Sequence, residues 1–278
     1  MALNLLRRFR PAVVEPPTVP AGERVYAIGD IHGRLDLFDA LLDQIAADDA
    51  ARGAAHTHLI LLGDLIDRGA ESRGVIERAL QLRERHPRFH LLFGNHEEML
   101  LAAVRSESAE SMRFFIRNGG RETLLSYGIT QDEYDHGSLT DLRLLANQRI
   151  PEEHLAFLES FEPSVVVGDY LFVHAGVRPG IALAEQSPSD LRWIRGEFLK
   201  SQRNHGHVVV HGHSVSEAVE EHANRIGIDT GAYATGRLTA IGLEATDRWF
   251  LSTSGAPASV NDGHDENAEC VKGATSFY

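Results

Sequence analysis

Cysteine and lysine are both scarce in this chain. Its 278 residues include a single cysteine, Cys270, and two lysines, Lys200 and Lys272. One cysteine excludes a disulfide within the chain and fits a reducing compartment, so we expect a cytoplasmic protein. The sequence also lacks any apolar run approaching the roughly 20 residues that a membrane-spanning helix requires. These absences predict a chain without internal disulfides and without a transmembrane segment.

Positive charge is in short supply as well. Acidic residues outnumber basic ones by 40 to 27, and the formal net charge is −13. General nucleic-acid binding requires a basic surface, so this balance argues against it. It does not exclude a phosphorylated substrate, because a local pair of metal ions can outweigh distant carboxylates. The hydrophobic fraction of 43% is sufficient for a full core and leaves the oligomeric state open.

Composition divides the chain into three regions. Residues 1–22 are predicted to be an N-terminal tail and linker, because four prolines lie within 11–22. For Met1–Arg10 a disordered tail is favoured over a helix at a membrane surface. Residues 23–252 are predicted to form the folded domain. Residues 253–278, rich in glycine, serine, alanine and acids, are predicted to be a disordered tail.

Short apolar strands alternate with helical patterns in the first part of this domain. Residues 25–28, 58–62 and 89–93 have the composition of buried strands. Each is followed by apolar residues at helical spacing, beginning with Leu35, Phe38, Leu41, Leu42 and Ile45 after the first strand. Three strand–loop–helix units in series predict a parallel sheet with covering helices.

The rest of the domain has a different pattern. Residues 112–160 are predicted to be mostly helical, with a polar break near 132–138, and to form a cap or side wall. Six short strands follow, and we expect a second, mixed or antiparallel sheet packed on the first. The six are residues 164–167, 170–173, 207–211, 225–229, 238–243 and 249–251. The predicted fold class is therefore α/β, with two sheets, flanking helices and a helical insert.

Five short polar motifs stand where predicted strands end. Ligands collect at the carboxyl ends of strands in open α/β sheets, so motifs far apart in sequence can meet at one site. Glycines stand beside the polar residues, where the backbone must turn sharply or approach a neighbour. The motifs are Gly29-Asp30-Ile31-His32-Gly33, Gly63-Asp64-Leu65-Ile66-Asp67-Arg68-Gly69, Gly94-Asn95-His96-Glu97, His174-Ala175-Gly176 and Gly212-His213.

The side chains of these motifs are suitable ligands for a pair of metal ions. Asp30 and His32 are two residues apart, so in an extended strand end they point the same way and can meet one ion. Asp64 can bridge two ions, because a carboxylate has lone pairs to spare. The second ion's shell is then completed by Asn95, His174 and His213. This mixture of oxygen and nitrogen favours manganese, with iron or zinc as alternatives, over calcium or magnesium.

Together the motifs resemble those of the calcineurin-like metallophosphoesterases, and within them the bacterial-type branch of the serine/threonine phosphoprotein phosphatases. The resemblance spans residues 29–213, and the full Gly-Asp-Leu-Ile-Asp-Arg-Gly and Gly-Asn-His-Glu forms are specific. It implies a two-sheet sandwich and a phosphoester hydrolase that uses a water activated by two metals. It also implies the ligand sets, which are Asp30, His32 and Asp64 on one ion, and Asp64, Asn95, His174 and His213 on the other.

Four further residues have roles suggested by their chemistry and by the resemblance. His96 adjoins a ligand and can donate a proton to the departing alkoxide, and Asp67 can hold that imidazole in position. Arg68 offers a planar fork that matches phosphate oxygens. Arg195 resembles a second phosphate-binding arginine of bacterial members, the alternative being a surface arginine at a helix start. His211 is predicted to be a neighbour of the site and not a ligand.

Three functions are open at this point. The first is a protein phosphatase acting on phosphoserine or phosphothreonine, and the second is a symmetrical hydrolase of dinucleoside polyphosphates such as diadenosine tetraphosphate. Members of the second group usually carry alanine in place of Asp67 and aspartate in place of Glu97, so both positions favour the first. The third function, a non-enzymatic binding module, is disfavoured because the ligand set is complete. The implied partner is a phosphorylated protein or a small phosphoester.

Overall fold

Two five-stranded sheets form the centre of the fold. The computed structural model describes residues 16–257, so the predictions for Met1–Arg10 and for the tail beyond 257, which includes Cys270, lie outside the described residues. One apolar core fills the space between the sheets, and two others join their outer faces to helices. The predicted α/β sandwich with two sheets is confirmed.

Ten strands build these sheets within residues 16–257. They are β1 (Glu23–Ile28), β2 (His56–Leu61), β3 (Phe89–Leu91), β4 (Ser164–Val167), β5 (Tyr170–Val173), β6 (Val208–His211), β7 (Glu220–Glu221), β8 (Arg225–Gly227), β9 (Thr239–Glu244) and β10 (Asp247–Ser252). The order of strands is β10-β9-β1-β2-β3 in the first sheet and β4-β5-β6-β8-β7 in the second.

The first sheet differs from the sequence-based prediction in two of its strands. β1, β2 and β3 are parallel, as predicted. The assignment of β9 and β10 to the second sheet is wrong, because β9 runs antiparallel to β1 and β10 pairs with β9. Gly242 of β9 makes room for Trp249 of β10, since a Cβ there would lie 2.1 Å from the indole ring. The indole N–H of Trp249 donates to Asp48 at 2.9 Å and so fixes this edge to the first helix.

The second sheet is mixed, as predicted. β5, β6 and β8 are parallel to one another. β4 and β5 form the predicted antiparallel hairpin around Gly168-Asp169. Because β5 and β6 run in the same direction, their carboxyl ends, His174 and Gly212-His213, lie side by side.

The central strand β1 is buried on both faces. Val25 and Ala27 point into the core between the sheets, whereas Tyr26 and Ile28 point into the core under the helices. A strand covered on both sides has no exposed face and reads as a continuous apolar run. This burial explains why residues 25–28 carry no charge and why the next charged side chain, Asp30, appears just after the strand ends.

Helices cover the outer faces, and five of the eleven α-helices within residues 16–257 belong to the insert. The predicted helical segment 112–160 is confirmed, although its polar break narrows to Gly137-Ser138, where Ser138 and Asp141 cap the next helix reciprocally. A kink at Ile116–Gly120, where Asn118 and Gly119 depart from helical φ/ψ, interrupts the insert. The α-helices are α1 (Leu35–Arg52), α2 (Ser72–Arg85), α3 (Asn95–Arg105), α4 (Ala109–Phe115), α5 (Arg121–Ser126), α6 (Gln131–His136), α7 (Leu139–Arg149), α8 (Glu152–Glu159), α9 (Pro188–Trp193), α10 (Gly196–Leu199) and α11 (Ala232–Thr235).

Packing extends slightly beyond the predicted domain of 23–252. Val19 is buried in the core between the sheets, and its N–H donates to the Ala245 carbonyl at 2.9 Å. At the other end the Thr253 N–H donates to the Leu238 carbonyl at 3.0 Å. In the stretch from 16 to 257, no helix combines the length and the apolar character needed to cross a membrane.

Candidate metal centre

The five motifs meet where the carboxyl ends of the two sheets face each other. Glycine allows the close approach at two of these contacts. A Cβ on Gly212 would lie 2.0 Å from Oδ1 of Asp30, and a Cβ on Gly63 would lie 3.0 Å from Nδ1 of His174. Neither position has space for a larger residue, because Asp30 fills it at Gly212, and the Gly94 backbone together with His174 fills it at Gly63.

Asp64 lies at the centre of two groups of possible ligands. The donor atoms of His32, Asp64 and His96 lie within 4.8 Å of one another, and so do those of Asp64, His174 and His213. The Asp64 carboxylate is 3.4 Å from Nε2 of His174 and 3.7 Å from Nε2 of His32. All five side chains are buried. A carboxylate shared by two imidazole groups has the placement that a bridging ligand requires.

The remaining two predicted ligands contact these groups. The Asp30 carboxylate accepts a hydrogen bond from the His213 N–H at 3.0 Å. Oδ1 of Asn95 lies 3.0 Å from Nε2 of His174. Nδ1 of His174 donates to the Leu62 carbonyl at 2.8 Å, and this bond turns Nε2 toward the site. The structure thus brings all six predicted ligands together, while their division between two ions stays a prediction.

The protonation states of the site suit metal binding. Burial lowers the pKa of His32 and of His174, and it lowers that of His213 to about 2, with a further contribution from His174. For Asp64, burial raises the pKa, but the surrounding imidazoles lower it more, so the net shift is downward. Metal ligands must be neutral imidazoles and ionised carboxylates, and these shifts favour the neutral form of the three histidines and the ionised form of Asp64, whereas burial raises the pKa of Asp30.

Backbone strain is concentrated in the motifs. Among residues 16–257, six residues other than glycine have positive φ, and only Ala245 of that set lies outside the motifs. Each left-handed residue costs about 1–2 kcal/mol, so the surrounding fold must hold these conformations. Strain of this kind is typical of functional sites. The five strained site residues are His32, Asp64, Asp67, Arg68 and His213, with φ between 48° and 74°.

His96 has the carboxylate partner that the sequence predicts. Nδ1 of His96 donates to Asp67 at 2.6 Å. The other oxygen of Asp67 accepts from the Thr123 hydroxyl at 2.6 Å, so helix α5 of the insert fixes this carboxylate. Burial lowers the pKa of His96, but Asp64 and Asp67 raise it more, and the net shift is upward. The pair therefore favours the protonated imidazole that a proton donor needs.

Both predicted phosphate-binding arginines reach the imidazole groups. Arg68 donates to Nε2 of His32 at 2.7 Å and to Nε2 of His96 at 3.1 Å. Nε of Arg195 donates to Nε2 of His213 at 2.9 Å, although most of the Arg195 side chain is exposed. The two guanidinium groups therefore lie on opposite ligand groups, from which they can reach a phosphate between them.

The kink at Ile116–Gly120 in the insert holds Arg68 in place. The Arg68 N–H donates to the Gly119 carbonyl at 3.0 Å. Gly119 has φ +100°, and a Cβ there would lie 2.7 Å from Cγ of Arg68. The insert is thus part of the site and not only a covering layer.

We expect Gly119→Ala to lower kcat/KM for a phosphomonoester about 10- to 100-fold, because the new methyl group displaces the Arg68 side chain. Gly128→Ala is the matched control, since Gly128 has φ +87° with no atom within 4 Å of a Cβ. Both variants carry similar backbone strain, so both should lose stability, while only the first loses activity. Equal activity losses in steady-state assays would contradict the role of this contact.

Two buried carboxylates at the site are absent from the predicted site residues. Glu97 accepts hydrogen bonds from the N–H groups of Asp64, Leu65 and Gly94 at 2.8–3.1 Å, and so ties the second motif to the third. Its position in the Gly94-Asn95-His96-Glu97 motif could have identified it as a site residue from the sequence. Asp229 follows β8, and its charge adds to burial in raising the pKa of Asp30. The signal here was an aspartate at a strand end, the same pattern as Asp30 and Asp64.

His211 stays apart from the ligands, in agreement with its predicted role as a neighbour. It is buried, and its ring packs edge-on against Phe198 at 5.1 Å. Nδ1 of His211 is 3.0 Å from the Gly212 carbonyl. This contact turns the imidazole into the second sheet and away from the metal centre.

A family model described as calcineurin-like phosphoesterase matches residues 23–264. The chain belongs to this family. The matched range contains every predicted site residue and all ten strands. This phosphoesterase therefore has the fold and the hydrolase class that the motifs predict. Two groups of possible ligands that share Asp64 fit the two-metal site of the family, although the first contains His96, the predicted proton donor, and not Asp30.

Known relatives of this phosphoesterase include two kinds of enzyme. Serine/threonine-protein phosphatase 2 of Escherichia coli (strain K12) is 27% identical over 77% of this chain and 90% of its own length. The symmetrical bis(5'-nucleosyl)-tetraphosphatase of Delftia acidovorans is 33% identical, over 56% of this chain and 45% of its own. A crystal structure provisionally named a diadenosine tetraphosphatase superposes on this chain with a TM-score of 0.58 and 19% sequence identity. The superposition covers 87% of this chain and all of that one, and it supports the fold.

Proposed function

We propose that this phosphoesterase is a serine/threonine protein phosphatase. The observation that carries the proposal is the Asp67–His96 pair at 2.6 Å. An alkoxide of serine or threonine is a poor leaving group and needs a proton, which a positioned imidazolium can donate. The E. coli phosphatase supports the same choice, because its similarity extends over nearly its whole length. The single cysteine further supports a cytoplasmic location.

The site residues divide the work in this proposal. Arg68 and Arg195 bind the phosphate oxygens. When Arg68 turns to the phosphate, Nε2 of His96 is released and can take up a proton from solvent, which it passes to the leaving oxygen while Asp67 holds Nδ1. Two manganese ions, or iron or zinc, would supply an activated water and offset charge on the phosphate. Their proposed ligands are Asp30, His32, Asp64, Asn95, His174 and His213.

A symmetrical dinucleoside polyphosphate hydrolase is the second candidate. The similarity to the Delftia acidovorans enzyme favours it. Two features of this chain count against it. The two oxygens of Asp67 accept hydrogen bonds from His96 and from Thr123, and the alanine that is usual at this position in the dinucleotide hydrolases could accept neither. Glu97 reaches three backbone N–H groups, and an aspartate would be one methylene shorter.

A side-by-side assay with manganese separates these candidates. We expect kcat/KM for phosphoserine and phosphothreonine peptides to exceed that for diadenosine tetraphosphate by at least about tenfold, because a site that positions the His96 proton donor is suited to alkoxide leaving groups, whereas a nucleotide phosphate leaves without a proton. A mononucleotide serves as the control for simple recognition of the base. The reverse ranking would favour the dinucleotide hydrolase, and no turnover of any substrate would favour a binding module.

A further inference from the structure

A buried carboxylate beside the metal centre has one oxygen without a partner. Asp229 is 2% exposed, and its Oδ1 accepts a hydrogen bond from the Gly231 N–H at 3.0 Å. Its Oδ2 is buried and has no hydrogen-bond partner within residues 16–257. Burying an anionic oxygen without a donor or a cation is unfavourable. Asp229 can meet this need by holding a proton, which burial favours by raising its pKa, or by facing a cation.

The backbone carries Asp229 to the ligands of the first ion. β8 is parallel to β6, and the Ile228 N–H donates to the His211 carbonyl at 3.0 Å, so Asp229 ends its strand beside Gly212-His213. On the other side Gly29 touches the same segment, since a Cβ on it would lie 2.7 Å from the Ile228 carbonyl oxygen. Asp229 thus lies between the end of β1, which is followed by Asp30, and the end of β6, which is followed by His213.

We propose that Asp229 is a positioning residue of the metal centre, a further carboxylate beside Asp30 that strengthens binding of the ion on the Asp30–His32 side. This inference rests on the proposed two-metal site. Arg68 and Arg195 bring positive charge to the same pocket, and the added carboxylate offsets part of it. Carboxylates outside the ligand set commonly change metal affinity by about 10- to 100-fold.

The turn after β8 explains how the carboxylate is oriented. Gly231 has φ +69°, and its N–H holds Oδ1 of Asp229, which leaves Oδ2 as the free oxygen. Thr230 fixes the same turn from the other side through its hydroxyl, which bonds to the Arg237 carbonyl at 2.8 Å. An asparagine can keep the bond to Gly231 with its amide oxygen while losing the charge. The charge can therefore be removed with the turn intact.

The test compares Asp229→Asn with the wild-type full chain by titrating manganese into metal-free protein in a calorimeter. We expect the variant to bind one manganese ion about 10- to 100-fold more weakly than the wild type. The unfolding temperature of the metal-free variant should be unchanged or higher, because a buried charge has been removed. Weaker manganese binding with an unchanged or higher unfolding temperature indicates a positioning role, whereas a purely structural role would lower the unfolding temperature.

Two further variants complete the test. Asp229→Ser keeps an acceptor for Gly231 and should behave like the asparagine variant, which secures the result if the asparagine fails to fold. Asp169→Asn removes an exposed carboxylate, and its manganese affinity should match the wild type. Wild-type affinity in both Asp229 variants would overturn the proposal. Wild-type protein that binds no manganese would overturn the metal centre itself, a failure distinct from that of Asp229.

Discussion

Asp64→Asn is expected to abolish phosphoester hydrolysis without unfolding the protein. Asp64 is the carboxylate that both ligand groups share, so the substitution weakens both ion sites together. We expect kcat for p-nitrophenyl phosphate with manganese to fall by about 10³-fold or more, since several kcal/mol of charge stabilisation are lost. Oδ1 of Asp64 accepts from the His96 N–H at 3.0 Å, and an amide oxygen can keep that bond. Circular dichroism should therefore match the wild type.

The control for this prediction is a carboxylate far from the site. Asp169 accepts a hydrogen bond from the Thr18 N–H at 2.8 Å in the hairpin of the second sheet. Asp169→Asn should retain wild-type turnover and manganese content. Full activity of Asp64→Asn after treatment with a chelator would refute the metal centre, because hydrolysis would then require neither the ions nor their shared ligand.

His96→Asn is expected to change the dependence of rate on the leaving group. A nitrophenolate leaves without a proton, whereas phenolate or an alkoxide needs one. We therefore expect a loss of about 10²- to 10⁴-fold on phenyl phosphate or a phosphoserine peptide, and a much smaller loss on p-nitrophenyl phosphate. The measurement is kcat for each substrate at saturating manganese. Equal losses on all substrates would remove the proton-donor role.

Asp67→Asn provides the matched comparison for His96. It leaves the imidazole in place but removes the charge that raises its pKa and holds Nδ1. The same leaving-group pattern should appear with a smaller loss. Metal content must be measured in both variants, because the His96 ring packs edge-on against His32 at 4.6 Å. A drop in bound manganese would indicate that the substitution acts through the ligand and not through proton transfer.

Much of the fold could be predicted because its signals are local. The strand β1 is an apolar run that ends in Gly29-Asp30, and the helix α1 shows the spacing of buried residues directly. The placement of β9 and β10 has no local signal. An apolar strand fits any sheet edge, and the pairing of β9 with β1 depends on contacts between residues more than 200 positions apart. Because β9 and β10 follow the strands of the second sheet along the chain, the sequence suggested that sheet, whereas β9 pairs with β1 of the first sheet.

The functional site also combines features that the sequence reveals with features that it does not. The ligands stand in short motifs at strand ends and could be identified one by one. The anchoring of Asp67 by Thr123, and of Arg68 by Gly119, joins segments about 50 residues apart, so no pattern in either segment reveals it. The left-handed conformations at the ligands are also invisible in the sequence, because aspartate and histidine are not residues that demand positive φ.

The return of the last strands to β1 has a consequence for synthesis on the ribosome. The Gly29 N–H, adjoining the ligand Asp30, donates to the Thr239 carbonyl at 3.0 Å. That partner emerges roughly 210 residues later, or about 10–40 s at ordinary rates of translation. Until then one edge of the central strand is open and the first ligand loop is unanchored. Assembly of the hydrolytic site is thereby delayed until β9 has been synthesised, and a nascent chain that stops before β9 holds all the signature motifs without the strand pairing that aligns them.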